Sequence, residues 1–427
     1  MKKISCVVSC PISTYSGYGG RSRDFVRALV ESYPDWDIKI LSQRWGKTRM
    51  SYLEDSNDTF FRPLIIPNLT YNPDVWIQIT VPNEFRKLGQ LSIGVTAGIE
   101  TTACHHSWIE GLNNMDLVLV SSEHAKSSLT GVQYEVKDQK TNQVKGHLQA
   151  IKPVEVLFEG IDTSIYKVID DSNNQLDLSS IEENFCFLTI GHWMQGDLGQ
   201  DRKNIGYTIK AFLETFKNKD SQPALILKTL QATSSIMDKY QVMDKIDAIR
   251  KTVKGKLPNI YLLHGDMSDK EINELYNHPK VKCLISLTKG EGYGRPLAEF
   301  ASIGKPIIAS NWSGHTDFLK ADLSLMIGGT LENVHPSAAV KDMILLESKW
   351  FKPNDMEVGE VLRKVFKEYK SFTSKSKEQA NYILSDFTYD KMKQRLVEIL
   401  NPHVDKIPRQ VELQLPKINL PKLKKIE

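Results

Sequence analysis

Short apolar runs alternate with amphipathic stripes along most of the chain. Runs of four to seven β-branched and aliphatic residues predict strands at 4–9, 38–42, 75–80, 92–97, 117–121 and 154–158. A second series follows at 187–191, 224–228, 260–264, 281–287, 306–310 and 323–327. Apolar positions at helical spacing lie between them, as in Phe25, Val26, Leu29 and Val30, and predict helices over 206–218, 236–253 and 270–277. Strands alternating with helices indicate βαβ units and a parallel sheet. The polar stretch 167–183 separates the two series, so we read an α/β chain with a first domain at 1–170 and a second at 171–385. From residue 347 the pattern is helical, and an amphipathic segment at 389–400 ends at Asn401-Pro402.

Two segments break this alternation in an informative way. LTKGEGYGRPLAEFASIGKPIIAS reads as strand, glycine loop, helix and strand, with Pro296 at the start of the helix, where its missing N–H costs nothing. Open α/β sheets bind ligands at such loops, beyond the carboxyl ends of the strands. Glu291 lies in the loop and Glu299 about one turn into the helix, so both carboxylates face the same end of the sheet. A solvated loop charge and a helix-dipole partner would explain the two carboxylates equally well. Gly17, Gly19 and Gly20 form a second glycine-rich loop after the first strand, without the spacing of a dinucleotide fingerprint.

Composition narrows the classes. With 427 residues, 41% apolar content and a net charge of +3, the chain can build two or three cores, and its overall charge demands no anionic partner. Local basic patches do occur: a hairpin expected over 132–152, with Lys137, Lys140, Lys145 and His147, and the lysine-rich tail 403–427. Either would admit a polyanionic acceptor such as DNA, although a solvated surface explains both. Five scattered cysteines without a CxxC pair suggest neither a disulfide framework nor zinc, and a reducing, cytoplasmic setting is expected. No run approaches the length of a transmembrane helix, while peripheral membrane contact stays open.

Six segments, in order, are similar to one family. GEGYGRPLAE with ASIGKPIIAS resembles the Glu-x7-Glu signature of retaining GT-B glycosyltransferases of family 4. SGYGGRSRDF resembles its amino-terminal glycine loop, and ETTACHHSWIEGLNNMDLVLVSSEHAKSSL its strand-end catalytic segment. FEGIDTSIY, DRKNIGYTIKAFLETF and NWSGHTDFL resemble the domain entry, the basic diphosphate segment and the segment after the signature.

The resemblance implies two Rossmann-like domains facing across a cleft, the second holding a UDP- or GDP-sugar and the first an acceptor. A final helix, about 386–402, would return to the first domain. Glu299 would accept hydrogen bonds from the donor ribose and Glu291 from the transferred sugar. The backbone of Gly292, Tyr293, Gly294 and Arg295 would line the sugar-phosphate pocket. Lys203 with Arg202 would pair with the diphosphate, and Gly19 and Gly20 would let the first domain approach it. Many relatives place an arginine directly after the strand-ending glycine, but here Gly191 is followed by His192, so Arg202 would take that position. Where relatives place a histidine facing the anomeric carbon, this chain has Glu100, with His105 as second choice. No metal or other cofactor is expected. Asp35-Trp36-Asp37 matches a metal-binding Asp-x-Asp but falls in a helix-to-strand turn. The rival from another class is a catalytically inactive nucleotide-sugar-binding protein.

Overall fold

The computed structural model describes residues 3–138 and 140–407. The basic tail expected beyond these residues lies outside the described part, apart from its first five residues, 403–407.

The first half builds β1 (Ser5–Cys10), α1 (Gly17–Ser32), β2 (Asp37–Ser42), α2 (Tyr52–Asp55), β3 (Ile65–Ile66), β4 (Val75–Ile79) and β5 (Leu91–Thr96). It continues with α3 (His106–Asn113), β6 (Leu117–Val120), α4 (Glu123–Thr130), β7 (Gln133–Lys137), β8 (Val144–Gln149) and β9 (Val154–Val156). Seven of these strands form a parallel sheet in the order β3-β2-β1-β4-β5-β6-β9. The central strands β4, β5 and β6 are buried along their whole length, as expected of a parallel sheet covered on both faces.

The second half builds β10 (Cys186–Ile190), α5 (Ile205–Phe216), β11 (Ala224–Lys228), α6 (Ile236–Thr252), β12 (Ile260–Leu263), α7 (Asp269–Asn277) and β13 (Val281–Ser286). Then come α8 (Arg295–Ala301), β14 (Ile307–Ser310), β15 (Leu325–Ile327), β16 (Gly329–Asn333), β17 (Lys349–Pro353), α9 (Asp355–Lys367), α10 (Tyr369–Asp386) and α11 (Tyr389–Val404). Its parallel sheet has the order β12-β11-β10-β13-β14-β15. In each sheet the order reverses beside the first strand, between β1 and β4 and between β10 and β13. Such switch points open a crevice at the carboxyl ends.

Helix α11 lies on the first domain. Met392, Leu396, Ile399 and Leu400 repeat at helical spacing and share one core with Phe25 and Leu29 of α1. Thr388 caps α11 by accepting from the Lys391 N–H.

The structure departs from the sequence reading at four points. Gly17, Gly19 and Gly20 are not a loop: they form the first turn of α1, whose cap Ser16 accepts from the Gly19 N–H at 2.9 Å. Helix α8, whose sequence pattern runs to a stop at Gly304-Lys305-Pro306, ends at Ala301. Helix α11 runs through Pro402 to Val404, because a proline in the last turn sacrifices only one intrahelical bond. The segment after residue 347, expected to be helical, first forms β17, paired antiparallel with β16. Its partner β16 reads as polar GTLEN and carries no strand signal of its own, and Trp350 of β17 is fully buried.

All five cysteines are free and buried in strands or loops. No helix among the described residues is long and apolar enough to cross a membrane.

Candidate active site

The loop 288–294 leaves β13 beside the second switch point, and its seven residues are all buried. It is stitched to the loop 191–204 that leaves β10: Lys289 N–H donates to the Arg202 carbonyl at 2.8 Å, and Asn204 Nδ2 to the Leu287 carbonyl at 2.9 Å. Asn204 adopts the left-handed conformation as it enters α5, while Asp201 accepts the Ile205 N–H at 3.1 Å. That turn presents Arg202 and Lys203 side by side toward Glu291.

Lys203 Nζ lies 2.6 and 2.8 Å from the two Glu291 oxygens. Arg202 Nη1 donates to the Gly290 carbonyl at 2.9 Å and lies 3.4 Å from Glu291 and 3.3 Å from Glu100. Glu291 is 6% exposed. Burial by itself would raise its pKa, yet Lys203 and Arg202 hold it down at about 2. Glu100 belongs to the first domain, so Arg202 bridges the two sheets.

Glu299 belongs to a second cluster. Its Oε1 accepts from Arg295 Nε at 2.8 Å and its Oε2 from the Tyr276 hydroxyl at 3.1 Å. Arg295 in turn reaches Asp24 of α1 at 2.5 Å, a second ion pair across the domains. Burial opposes the Arg295 charge, but Asp24 and Glu299 outweigh it. For Glu299, burial dominates and Asp269 adds to it, lifting the carboxyl to about 7 against Arg295. An acid whose folded pKa exceeds its ordinary 4.5 stabilises the fold below that value, and the contribution is lost as pH rises through 7. Glu299→Gln is therefore expected to flatten the fall in unfolding free energy over this window, by up to about 3 kcal/mol. Urea titrations at pH 4.5 and 8 check this, and an unchanged difference between the two would refute it.

The two domains close directly on the loop. An added Cβ at Gly290 would sit 1.9 Å from the Glu100 carbonyl, and one at Gly292 would sit 2.5 Å from the Ala97 carbonyl. The Gly292 carbonyl accepts from the hydroxyls of Ser121 and Ser122, the former at 3.1 Å. A cavity of about 300 Å³ remains between the domains. Tyr15, Lys47 and Arg49 line it from the first domain, and His192, Ser235 and Asp266 from the second. Burial, reinforced by Lys203, lowers His192 to about 4, so it is neutral near pH 7.

The remaining residues singled out from the sequence divide as follows. Gly20 packs beside the Arg295 guanidinium, within 3.3 Å of an added Cβ. Tyr293 is buried with its hydroxyl unpaired among the described residues, and Gly294 caps α8. His105 is engaged elsewhere: it caps α3, its Nδ1 2.8 Å from Ser107 Oγ, and its Nε2 lies 3.5 Å from Asp342. Of the two candidates for the anomeric position, only Glu100 touches the Arg202 cluster. In the hairpin, Lys137 pairs with Glu135 at 3.1 Å and Lys145 pairs with Asp138, which halves the charge available to a polyanion.

Sequence reading missed His315. It is fully buried, its Nε2 donates to the Ser310 carbonyl at 2.6 Å, and its Cβ lies 3.0 Å from where a Gly294 Cβ would stand. Its Nδ1 has no partner among the described residues. The signal was its place in NWSGHTDFL, but only folding brings that segment against the glycine loop.

Residues 250–358 match the family model described as "Glycosyl transferases group 1". Comparison with curated proteins gives no match. Among solved structures, a sucrose-phosphate synthase from Thermosynechococcus elongatus aligns with a TM-score of 0.62 at 10% identity, over 95% of this chain and 100% of that one. A trehalose-6-phosphate protein from E. coli bound with UDP-2-fluoro glucose aligns at 0.57 and 12% identity, over 95% and 100% of the two chains. HepE from Anabaena, in complex with UDP and glucose, aligns at 0.53 and 11% identity, over 93% and 100%. The chain thus has the GT-B fold and carries a glycosyltransferase group 1 region in its second domain.

Proposed function

We propose that the chain is a retaining glycosyltransferase of the family 4 type, which moves a hexose or similar sugar from a UDP- or GDP-sugar to an acceptor hydroxyl. One observation carries this reading above the rest: Arg202, Lys203 and Glu291 converge at a GT-B switch point, with Glu100 supplied from the facing domain.

In this reading Lys203 and Arg202 bind the donor diphosphate. Buried cations are strongest where charge develops, here on the departing phosphate oxygen. Glu291 accepts hydroxyls of the transferred sugar, Glu299 accepts the ribose hydroxyls, and the backbone of 292–295 lines the sugar phosphate. The cavity beside His192 and Asp266 takes the nucleoside half. The bond from the anomeric carbon to the phosphate oxygen breaks as a bond to the acceptor oxygen forms on the same face. The released phosphate takes the acceptor proton, while Glu100 faces the anomeric carbon and stabilises its positive charge. Glu291 and Glu299 sit in separate cation clusters and so do not act as a hydrolytic acid/base pair. Two cations already supply the charge that a metal ion would, so turnover is metal-independent.

Similarity to proteins whose structures hold UDP and glucose, or UDP-2-fluoro glucose, supports the choice of donor class. The test is a panel of UDP- and GDP-sugars, scored for release of the nucleotide, with and without excess chelator. At least one donor should turn over in both conditions, and Lys203→Ala should lower kcat/KM by about 100-fold or more. Equal turnover in parent and variant, or no turnover of any donor, would overturn the reading.

A further inference from the structure

A larger groove, about 680 Å³, lies at the opposite end of the first sheet. Its walls come from the amino-terminal ends of β1, β2, β4 and β5 and from the segment 66–74 that links β3 to β4. Strand β5 alone separates it from Glu100 by about 20 Å, so it is no part of the cleft.

The chemistry of the lining is specific. The Tyr71 ring is 40% exposed at the rim, beside exposed Asn68 and Asn72. Asp74 is fixed in place: its Oδ2 accepts from Ser5 N–H and Oγ at 2.9 and 2.8 Å, and its Oδ1 from Gln90 Nε2 at 3.0 Å. Asp37 stands opposite, with Lys39 3.1 Å away as the only cation in the lining among the described residues. Two carboxylates against one paired lysine disfavour phosphorylated or otherwise anionic ligands. Among the described residues no group of three or more His, Cys, Asp or Glu side chains could hold a metal ion. What remains is a ring that can cover an apolar C–H face, with carboxylates and amides that pair with vicinal hydroxyls.

We propose that this groove is a second carbohydrate subsite, which binds a short neutral oligosaccharide against Tyr71. Its volume falls in the range of ligand clefts. The carboxylates are charge-assisted acceptors for hydroxyl protons, and the Asn68, Asn72 and Gln90 amides both donate and accept. Sugar binding here is independent of transfer at Glu291 and is read without turnover, so it stands or falls separately from the proposed activity.

The experiment is saturation-transfer NMR on the full chain with maltotriose, cellotriose, mannotriose and chitotriose, followed by titration of whichever binds. At least one trisaccharide should bind. Tyr71→Ala should weaken it about tenfold, and Tyr71→Phe, which keeps the ring, should restore it. Asn72→Ala should also weaken it. These side chains are exposed, so the variants should keep the parental melting temperature. Absence of binding by all four sugars, or binding unchanged in Tyr71→Ala, would overturn the proposal.

Discussion

Glu291→Gln is expected to lower donor turnover about 100-fold while increasing the thermal stabilisation that UDP confers. Without donor, Glu291 neutralises Lys203 at 2.6 Å and Arg202 at 3.4 Å in a buried setting. Removing its charge leaves Lys203 uncompensated and Arg202 with Glu100 alone. Breaking a buried pair in this way costs about 3–5 kcal/mol. A bound diphosphate would supply the missing negative charge, so UDP should recover in the variant what the parent already has. Turnover should still fall, because an amide accepts sugar hydroxyls more weakly than a carboxylate does. Differential scanning fluorimetry with and without UDP, together with donor kinetics, tests both halves. A variant that matched the parent in both melting temperature and UDP shift would sink the idea that Glu291 occupies the donor's charge clamp.

Gly290→Ala is expected to separate the domains. Its added methyl would meet the Glu100 carbonyl at 1.9 Å, and backbone on each side cannot yield as a flexible side chain would. Overpacking of this kind costs about 1–3 kcal/mol or more. The strain can be relieved by opening the cleft, which breaks the Arg202–Glu100 and Arg295–Asp24 pairs. Each sheet has its own core, so both should stay folded. Small-angle scattering should give a larger radius of gyration, circular dichroism an unchanged helix content, and donor turnover a loss of about 100-fold. An unchanged radius with full activity would show that the loop tolerates the methyl group.

Most of the framework was legible because it rests on local periodicity. Strands such as Ala224–Lys228 and helices such as Ile236–Thr252 announce themselves through apolar spacing, and Ser268 with Glu271 marks the start of α7 by a reciprocal cap. Less was legible where local signals are weak or mixed. The polar strand β16 has meaning only against β17, and α3 begins at a histidine cap that no simple pattern announces. The glycines at 17, 19 and 20 looked like a loop because glycine is a poor helix former, yet Ser16 caps the helix they begin.

The sequence by itself determined two α/β series, a glycine loop bearing Glu291, a helix bearing Glu299 and a basic pair at Arg202 and Lys203. All of these depend on neighbours within a few residues of one another. Only the tertiary structure decided how the charges are shared. Glu291 goes to Lys203 and Arg202, 88 and 89 residues away, while Glu299, besides its helix neighbour Arg295, takes the Tyr276 hydroxyl from α7. It also placed Glu100 rather than His105 against the cluster, and brought buried His315 beside the glycine loop. The physical reason is that such pairings are set by sheet order and domain closure. The order reverses at β1/β4 and β10/β13, and those crevices bring together residues that no spacing along the chain relates.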